Sequence, residues 1–396
     1  MSLYAAEDEA RIRTAARVRA WTQSGLLSAA QGTAIEAGLR VDVTRTNRYL
    51  RFALFAFGTI VVWAAVGLSL LLLDLKEEWA LAWTAILAGA IAVALAAFLV
   101  VRFRLYRFGI EEALAVWSVA LVTFGAGFFT SVARHGDDGP ALVACVAAAI
   151  ASVAVYRLFG YLYVACAAVA ALAATAFWLG LPRFGAHLLS ASMLIGVFFA
   201  VRRLRRPHGD DFPGDDYGVI EAVAWVGCYI VLNLRLTLSV MPSFVGIRAG
   251  ADIPAAFYWS TYAAIWLMPA AGLALGLREK HRPMIWSGLA IAIATLVTNK
   301  AYLGRTPNTW DPILFGVLLA GTAIFVRRWL AAGPGGHRQG FTVQALVASD
   351  DKAGIGVLST VAAVQQPMAA RTRTETPAFE AGHGGRSGGA GGGTDF

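Results

Sequence analysis

The string HGDD occurs twice in the chain, within RHGDDGP at 134–140 and within RPHGDDFPGDDYG at 206–218. Imidazoles and paired carboxylates can bind metals, and hard cations such as Mg²⁺ take several carboxylate oxygens as ligands. The second copy holds two aspartate pairs separated by three residues. Its four candidate ligands are Asp210, Asp211, Asp215 and Asp216. This spacing raises the hypothesis of a metal site, formed by both copies or by the second copy alone.

Whether the two copies can meet depends on the segments between them. Three apolar segments long enough to cross a bilayer separate the copies, and an odd number puts them on opposite faces of a membrane. We therefore predict that they do not form one site. For the second copy, Gly, Pro and Asp are typical of a solvated turn. The alternative is a magnesium-dependent enzyme acting on lipids, which needs a second acidic cluster on the same face, and the sequence offers none. The prediction is no bound metal and no cofactor.

The segment 217–240 carries a second set of candidate residues, Glu221, Asn233 and Arg235. Ionisable and strongly polar groups within a membrane segment are costly, so each is a hypothesis of a substrate or ion site. Glu221 and Arg235 are 14 residues apart, about 21 Å along a helix, and cannot pair directly. From residue 233 onward polar and apolar residues alternate, which suits a strand better than a helix. This end of the segment is therefore predicted to be unwound or to line a wet cavity.

The composition indicates the class of molecule that must position these groups. Of 396 residues, 58% are hydrophobic and 15% are charged, and the charges are clustered between long apolar segments. About 20 apolar residues span a bilayer as a helix. We predict an all-α, polytopic membrane bundle of about ten transmembrane helices. The segments are 52–73, 79–101, 113–133, 140–156, 158–180, 184–201, 217–240, 255–277, 283–299 and 312–329.

Charge placement predicts the orientation of these segments. With the N-terminus in the cytoplasm, the inner loops carry eleven Lys/Arg residues and the outer loops carry six. This bias agrees with the positive-inside rule and predicts ten spans with both termini inside. The segments 140–156 and 158–180 are the ones whose full crossing the sequence leaves open. Because the basic residues flank apolar segments, the net charge of +8 indicates anionic lipid rather than nucleic acid.

Two further regions flank the predicted membrane domain, which covers 50–330. Residues 1–49 are predicted to form a cytoplasmic helical hairpin, because Gly25 follows a first helix and Ser28 with Gln31 has capping-box spacing. Residues 331–396 are Gly-rich and are predicted to be a flexible cytoplasmic tail, with one short helix near 354–364. An internal similarity links the starts of two segments, in which Glu112 and Glu221 hold corresponding places. Such a parallel repeat occurs in some transporters.

The stretch RAWTQSGLLSAAQGTAIEAGLR carries a pattern of Trp, Gly-Leu and Gln, at Trp21, Gly25, Leu26 and Gln31. With the membrane segments that follow, it resembles a family of uncharacterised bacterial multi-pass membrane proteins that begin with a short cytoplasmic helical segment. The resemblance covers about 30 residues and implies a bacterial inner membrane protein, with no catalytic activity attached to it.

Three functions remain open at this point. The sequence favours a non-enzymatic binding or scaffold protein that recruits protein partners through its N-terminal hairpin and its tail. The alternatives are a transporter of a small solute or lipid with a polar site near Asn233 and Arg235, and a lipid-modifying enzyme that uses the acidic loop 208–216. No nucleotide-binding, hydrolase, zinc-protease or haem-attachment motif is found in the sequence.

Overall fold

The computed structural model describes residues 3–73, 77–133, 139–208, 212–240, 253–303, 310–333, 337–338 and 341–342. These residues are almost entirely helical. The helices are α1 (Ala6–Gln23), α2 (Ala29–Gly38), α3 (Arg48–Leu73), α4 (Glu78–Phe103), α5 (Ile110–Ala133), α6 (Gly139–Phe159), α7 (Leu162–Thr175), α8 (Arg183–Arg205), α9 (Phe212–Leu232), α10 (Leu234–Val240), α11 (Ala255–Glu279), α12 (Arg282–Tyr302) and α13 (Asp311–Ala331). Short 3-10 turns follow α7 and α8, and β1 (His337–Arg338) pairs with β2 (Phe341–Thr342) in a two-stranded antiparallel ladder. The all-α class is therefore confirmed.

Each of the ten predicted segments coincides with helix in the structure. Six described helices are long and apolar enough to cross a membrane, namely α3, α4, α5, α6, α8 and α11. The predicted segment 158–180 corresponds to the shorter apolar helix α7 and its 3-10 turn. The predicted segment 217–240 is divided between α9 and α10, which meet at Asn233. The chain thus has the helices of a membrane protein.

The chain divides into two compact units, one of residues 1–15 and 39–319 and one of residues 16–38 and 320 onward. The first unit has two hydrophobic clusters. One is built from α4, α5 and the chain around residues 155–164, with Ala96, Ala115 and Phe159 at its centre. The other is built from α7, α8, α9, α11 and α12, with Leu194, Tyr229 and Ile265 at its centre. Both clusters consist of helix against helix, as expected of a bundle.

Helices α4 and α5 pack closely because small residues line their interface. The buried residues of α4 recur every three or four positions, which places them on one helical face: Ala82, Ala85, Gly89, Ala92, Ala96 and Val100. A methyl group added to Gly125 of α5 would lie 2.7 Å from the Ala82 carbonyl oxygen and 2.7 Å from Ile86 Cγ1. Small residues let the two backbones approach closely, and the resulting van der Waals contacts stabilise helix pairs that lack a hydrophobic driving force, as in membranes.

Substitution of Gly125 by alanine should separate α4 from α5, since the new methyl group meets the backbone of α4 at Ala82 and Ile86 as well as the Ile86 side chain. We expect a loss of about 1–3 kcal/mol in the free energy of unfolding, measured by thermal unfolding in detergent micelles. Gly67 is the matched control, because nothing lies within 4 Å of a methyl group added there. Equal effects of the two substitutions would contradict close α4–α5 packing.

The chain before α1 is fixed to the first unit. The Leu3 amide donates to the Leu158 carbonyl at 2.8 Å, and the Tyr4 and Tyr161 hydroxyls lie 3.2 Å apart. The Tyr4 ring also packs edge-on against Tyr106, with 5.0 Å between centroids. We call residues 3–5 the N-terminal segment. It packs against the chain on both sides of the α6–α7 turn and against the loop between α4 and α5.

The predicted hairpin of α1 and α2 has the capping box expected from its sequence. The Ser28 amide donates to Gln31 Oε1 at 3.0 Å, and the Gln31 amide donates to Ser28 Oγ at 3.3 Å. Gly25, which follows α1, has a φ of 77°. Glycine adopts this left-handed conformation without strain, so the chain can reverse direction there. Most of the predicted tail 331–396, including the predicted helix near 354–364, lies outside the described residues.

Glu9 makes the stability of this region depend on pH. Burial raises the pKa of Glu9 from 4.5 to about 7, with a lowering contribution from Arg107 and a raising one from Asp216. A carboxyl with a raised folded pKa contributes stability that is present below pH 4.5 and is lost as the pH rises through about 7.

We therefore expect the midpoint temperature of thermal unfolding to decrease as the pH is raised from 5 to 8. The decrease should be smaller in a Glu9→Gln variant. The exposed Glu7 is the control, since Glu7→Gln should keep the pH dependence of the unsubstituted chain. An identical pH profile for Glu9→Gln and the unsubstituted chain would show that Glu9 is not responsible.

Candidate functional site

Two of the three residues predicted from the sequence to form a site lie at opposite ends of helix α9. Glu221 lies near its beginning and Asn233 directly follows its last residue. The two residues are twelve positions apart, a separation of about 18 Å along a helix. The structure therefore has two polar clusters on α9, which we call the break cluster, around Asn233, and the charge cluster, around Glu221.

The break cluster forms where α9 ends at Leu232 and α10 begins at Leu234. An uninterrupted helix would pair the amides of residues 234, 235 and 236 with carbonyls four residues earlier. Here side chains replace those carbonyls. The Leu234 amide donates to the Tyr302 hydroxyl at 2.9 Å, and the amides of Arg235 and Leu236 both donate to Asn233 Oδ1 at 3.2 Å.

The three carbonyls released by the break also have partners. They accept hydrogen bonds from three side chains: Thr237 Oγ1 to Ile230 at 2.6 Å, His187 Nδ1 to Val231 at 2.8 Å, and the Tyr302 hydroxyl to Leu232 at 3.1 Å. Because a carbonyl can only accept, His187 carries hydrogen on Nδ1. All six backbone groups freed by the break are thus satisfied, as buried backbone groups require.

Asn233 itself has no remaining hydrogen-bonding capacity. Its Nδ2 donates to the Tyr229 hydroxyl at 3.1 Å and to Thr298 Oγ1 at 2.9 Å, and its Oδ1 accepts from the two amides of α10. The side chain is fully buried, whereas Arg235 is an exposed residue. The predicted pair of Asn233 and Arg235 therefore does not converge on one buried position.

The predicted unwinding from residue 233 onward is limited to an interruption at Asn233. Residues 234–240 form helix α10 rather than a strand-like stretch. The alternation of polar residues has a local cause, since Asn233 and Thr237 both serve the broken backbone. Sequence reasoning missed Tyr302, which lies about 70 residues away. A tyrosine near the end of an apolar segment looks like an ordinary interface anchor.

The charge cluster joins α8, α9 and α11. Glu221 is 1% exposed; Arg205 Nε donates to its Oε2 at 2.8 Å, and Arg202 Nη1 lies 3.5 Å from its Oε1. Both arginines also pair with Glu279 at the end of α11, the Arg205 Nη2 to Glu279 Oε2 distance being 2.5 Å. Two cations and two carboxylates therefore alternate, which compensates for taking Glu221 out of water.

His281, two residues after Glu279, lies next to the charge cluster. Burial and the positive charges of Arg205 and Arg202 together lower the pKa of His281 to about 4, against the opposing effect of Glu279. The imidazole is consequently neutral at neutral pH and adds no third positive charge. It lies against Gly218 of α9, where an added methyl group would come 2.4 Å from its Nε2.

The arginine partners of Glu221 were not predicted, although the spacing of the arginines in the sequence indicates them. Arg202 and Arg205 are three residues apart and so share a face of α8. A carboxylate early in the next helix of a tight hairpin is then in reach. The basic residues after an apolar segment were instead interpreted as loop and lipid contacts.

The acidic loop is only partly within the described residues. Asp210, Asp211 and the side chain of Asp215 lie outside them, and Asp216 is buried. In the part of the chain that the structure describes, no group of three or more His, Cys, Asp or Glu side chains could hold a metal ion. The cysteines Cys145, Cys166 and Cys228 are all unpaired.

Comparisons with protein-family models, with curated proteins and with solved structures give no match to this chain.

Replacing Tyr302 by phenylalanine should destabilise the break cluster, because the Leu232 carbonyl and the Leu234 amide would both lose their partner. We expect a loss of about 1–3 kcal/mol in the free energy of unfolding, measured in detergent micelles. Tyr49, which is 88% exposed, is the control position for the same substitution. Unchanged stability in Tyr302→Phe would show that these bonds contribute nothing.

Replacing Glu221 by glutamine should leave Arg202 and Arg205 with one carboxylate between them. Removing one partner of a buried ion pair costs about 3 kcal/mol. The comparison is Glu36→Gln, which removes the exposed pair between Glu36 and Arg19 and should cost less than about 1 kcal/mol. A smaller loss for Glu221→Gln than for Glu36→Gln would be inconsistent with this assignment.

Proposed function

We propose that this chain is a non-enzymatic, membrane-embedded binding or scaffold protein of the bacterial inner membrane, with ten spans and both termini in the cytoplasm. The helix at each predicted segment and the eleven-to-six distribution of Lys/Arg between inner and outer loops support the ten-span arrangement. The lipid bilayer is its first partner.

The observation that carries the binding function is the saturation of the polar groups on α9. Asn233 uses all four of its hydrogen-bonding positions within the chain, and Glu221 is matched by two arginines. A transport or catalytic site needs polar groups that are free to exchange protein partners for a ligand. These two clusters instead hold α8, α9, α11 and α12 together, so α9 acts as the structural axis of a rigid platform.

The surface through which the platform would recruit a partner is the α1–α2 hairpin. Three of its large apolar side chains are substantially exposed: Trp21 at 46%, Leu26 at 68% and Ile35 at 41%. Arg17 and Arg19 on α1 are exposed as well. Aromatic and aliphatic anchors flanked by cations fit a protein partner with an apolar patch bordered by carboxylates.

The recruitment proposal can be tested by site-specific photo-crosslinking in cells that express the full chain. A photoreactive residue at Leu26 should give a discrete protein adduct, and the exposed Thr33 of α2 is the control position. Adding Trp21→Asp should abolish the adduct. Equal crosslinking from both positions, or an adduct that survives Trp21→Asp, would refute the assigned surface.

The ten-span arrangement is tested separately by thiol labelling. In a variant without Cys145, Cys166 and Cys228, single cysteines replace Asp137 and Asp210. An impermeant reagent applied to intact cells should modify the first and leave the second unmodified. Modification of both positions would contradict the arrangement.

A transporter is the second candidate, and the interruption of α9 at Asn233 is the observation that favours it. Discontinuous helices line the substrate sites of many secondary transporters. The possible internal repeat is also supported, because the second helices of the α4–α5 and α8–α9 hairpins each begin with a buried, ion-paired glutamate, Glu112 and Glu221. The two candidates differ in whether water reaches Asn233.

A further inference from the structure

Two neighbouring glutamates at the start of α5 are buried in different electrostatic surroundings. Glu111 is 0% exposed and Glu112 is 4% exposed. Glu112 is paired with Arg51 of α3 through both oxygens, with Arg51 Nη2 2.7 Å from Oε1 and Arg51 Nε 3.1 Å from Oε2. This two-point ion pair compensates the buried charge of Glu112.

Glu111 has no such ion pair among the described residues; only the backbone amides of Phe108, Gly109 and Glu111 itself oppose the cost of its burial. Its Oε1 accepts a hydrogen bond from the Phe108 amide at 2.5 Å, while its Oε2 is buried without a hydrogen-bond partner. Within the described part of the chain, no cation pairs with Glu111. The apolar cluster of Leu114, Ala115 and Phe159 lies in the same region. A negative charge on Glu111 would therefore be unpaired and desolvated.

The ionisable groups around Glu111 come from five places in the chain. Tyr4 belongs to the N-terminal segment, Tyr161 and Tyr163 stand at the start of α7, Glu112 is its own neighbour, and Arg51 is held by Glu112. Arg107, in the loop before α5, stands over the Tyr106 ring at 5.8 Å. Burial raises the pKa of Tyr4, and the charge of Glu111 raises it further, so Tyr4 is not a source of compensating charge.

We propose that Glu111 is a proton-binding site of the membrane domain, occupied while the N-terminal segment is attached. The positive end of α5 favours a carboxylate at this position, but a helix terminus offsets only a small part of the cost of an unpaired buried charge. The neighbouring carboxylate of Glu112 opposes ionisation as well. The ligand is therefore a proton, carried on the carboxyl oxygen that lacks a partner.

Release of this proton connects the site to the N-terminal segment. The carboxyl O–H bond breaks, the proton passes to a base in the buffer, and both bonding electrons stay on Glu111. The resulting charge lies close to the Tyr4 and Tyr161 hydroxyl pair, which helps to hold the segment. The segment should detach so that water can solvate the carboxylate.

The proton can be observed directly by infrared spectroscopy of the full chain in lipid nanodiscs at neutral pH. The carbonyl band of a protonated carboxylic acid should be present in the unsubstituted chain and reduced in Glu111→Gln. Glu112→Gln and the exposed Glu7→Gln should both retain it. Because glutamine mimics the neutral acid, Glu111→Gln should also fold. An unchanged band in Glu111→Gln, or failure of this variant to fold, would overturn the proposal.

Attachment of the N-terminal segment is measured by hydrogen exchange at the Leu3 amide, which is bonded to Leu158. Its protection factor should fall at least tenfold between neutral and alkaline pH in the unsubstituted chain and stay constant in Glu111→Gln. Equal losses of protection in both proteins would overturn the connection to the segment.

Discussion

Buried backbone amides and carbonyls must find hydrogen-bond partners within the protein, and the interruption of α9 shows how this chain meets that constraint. The break leaves the amides of residues 234–236 and the carbonyls of residues 230–232 without their helical partners. Four side chains, from Asn233, Thr237, His187 and Tyr302, replace every bond that is lost. Since each unsatisfied buried polar group costs about 1–3 kcal/mol, the break depends on the two partners that α8 and α12 supply. The positions of three helices are thereby tied to a single residue.

The same constraint governs charge at the basic ends of the helices. Glu112 and Glu221 are both buried, and each is matched by arginine from another helix. The net stabilisation from such pairs is small after desolvation, but a mispaired arrangement is heavily penalised. These ion pairs therefore fix which helices are neighbours more than they add to stability. Glu111 differs because it is buried without an arginine partner. Under our proposal a bound proton neutralises its charge, and the helices need not rearrange.

Local signals in the sequence predicted the helices but not the side-chain hydrogen bonds that hold the helices together. Apolar length predicted each helical segment, and the Ser28–Gln31 spacing predicted a capping box that the structure contains. Both depend on residues a few positions apart. Tyr302 and His187 could not be identified in this way, because their partners at the break are 70 and 44 residues distant. The alternation after Asn233 was misleading for a related reason, since it reflects the chemistry of a helix break rather than an extended backbone.

The binding and transport candidates make opposite demands on this break. A scaffold needs α9 and α10 locked, with Asn233 inaccessible, whereas a transporter needs the same groups to exchange partners with water or solute. The most direct test is hydrogen exchange at the amides of Leu234, Arg235 and Leu236 in nanodiscs. Full satisfaction of the break predicts protection comparable to that of the α9 amides before Leu232. Rapid exchange at these three amides, beside protected neighbours in α9, would contradict a closed break and favour a water-filled site.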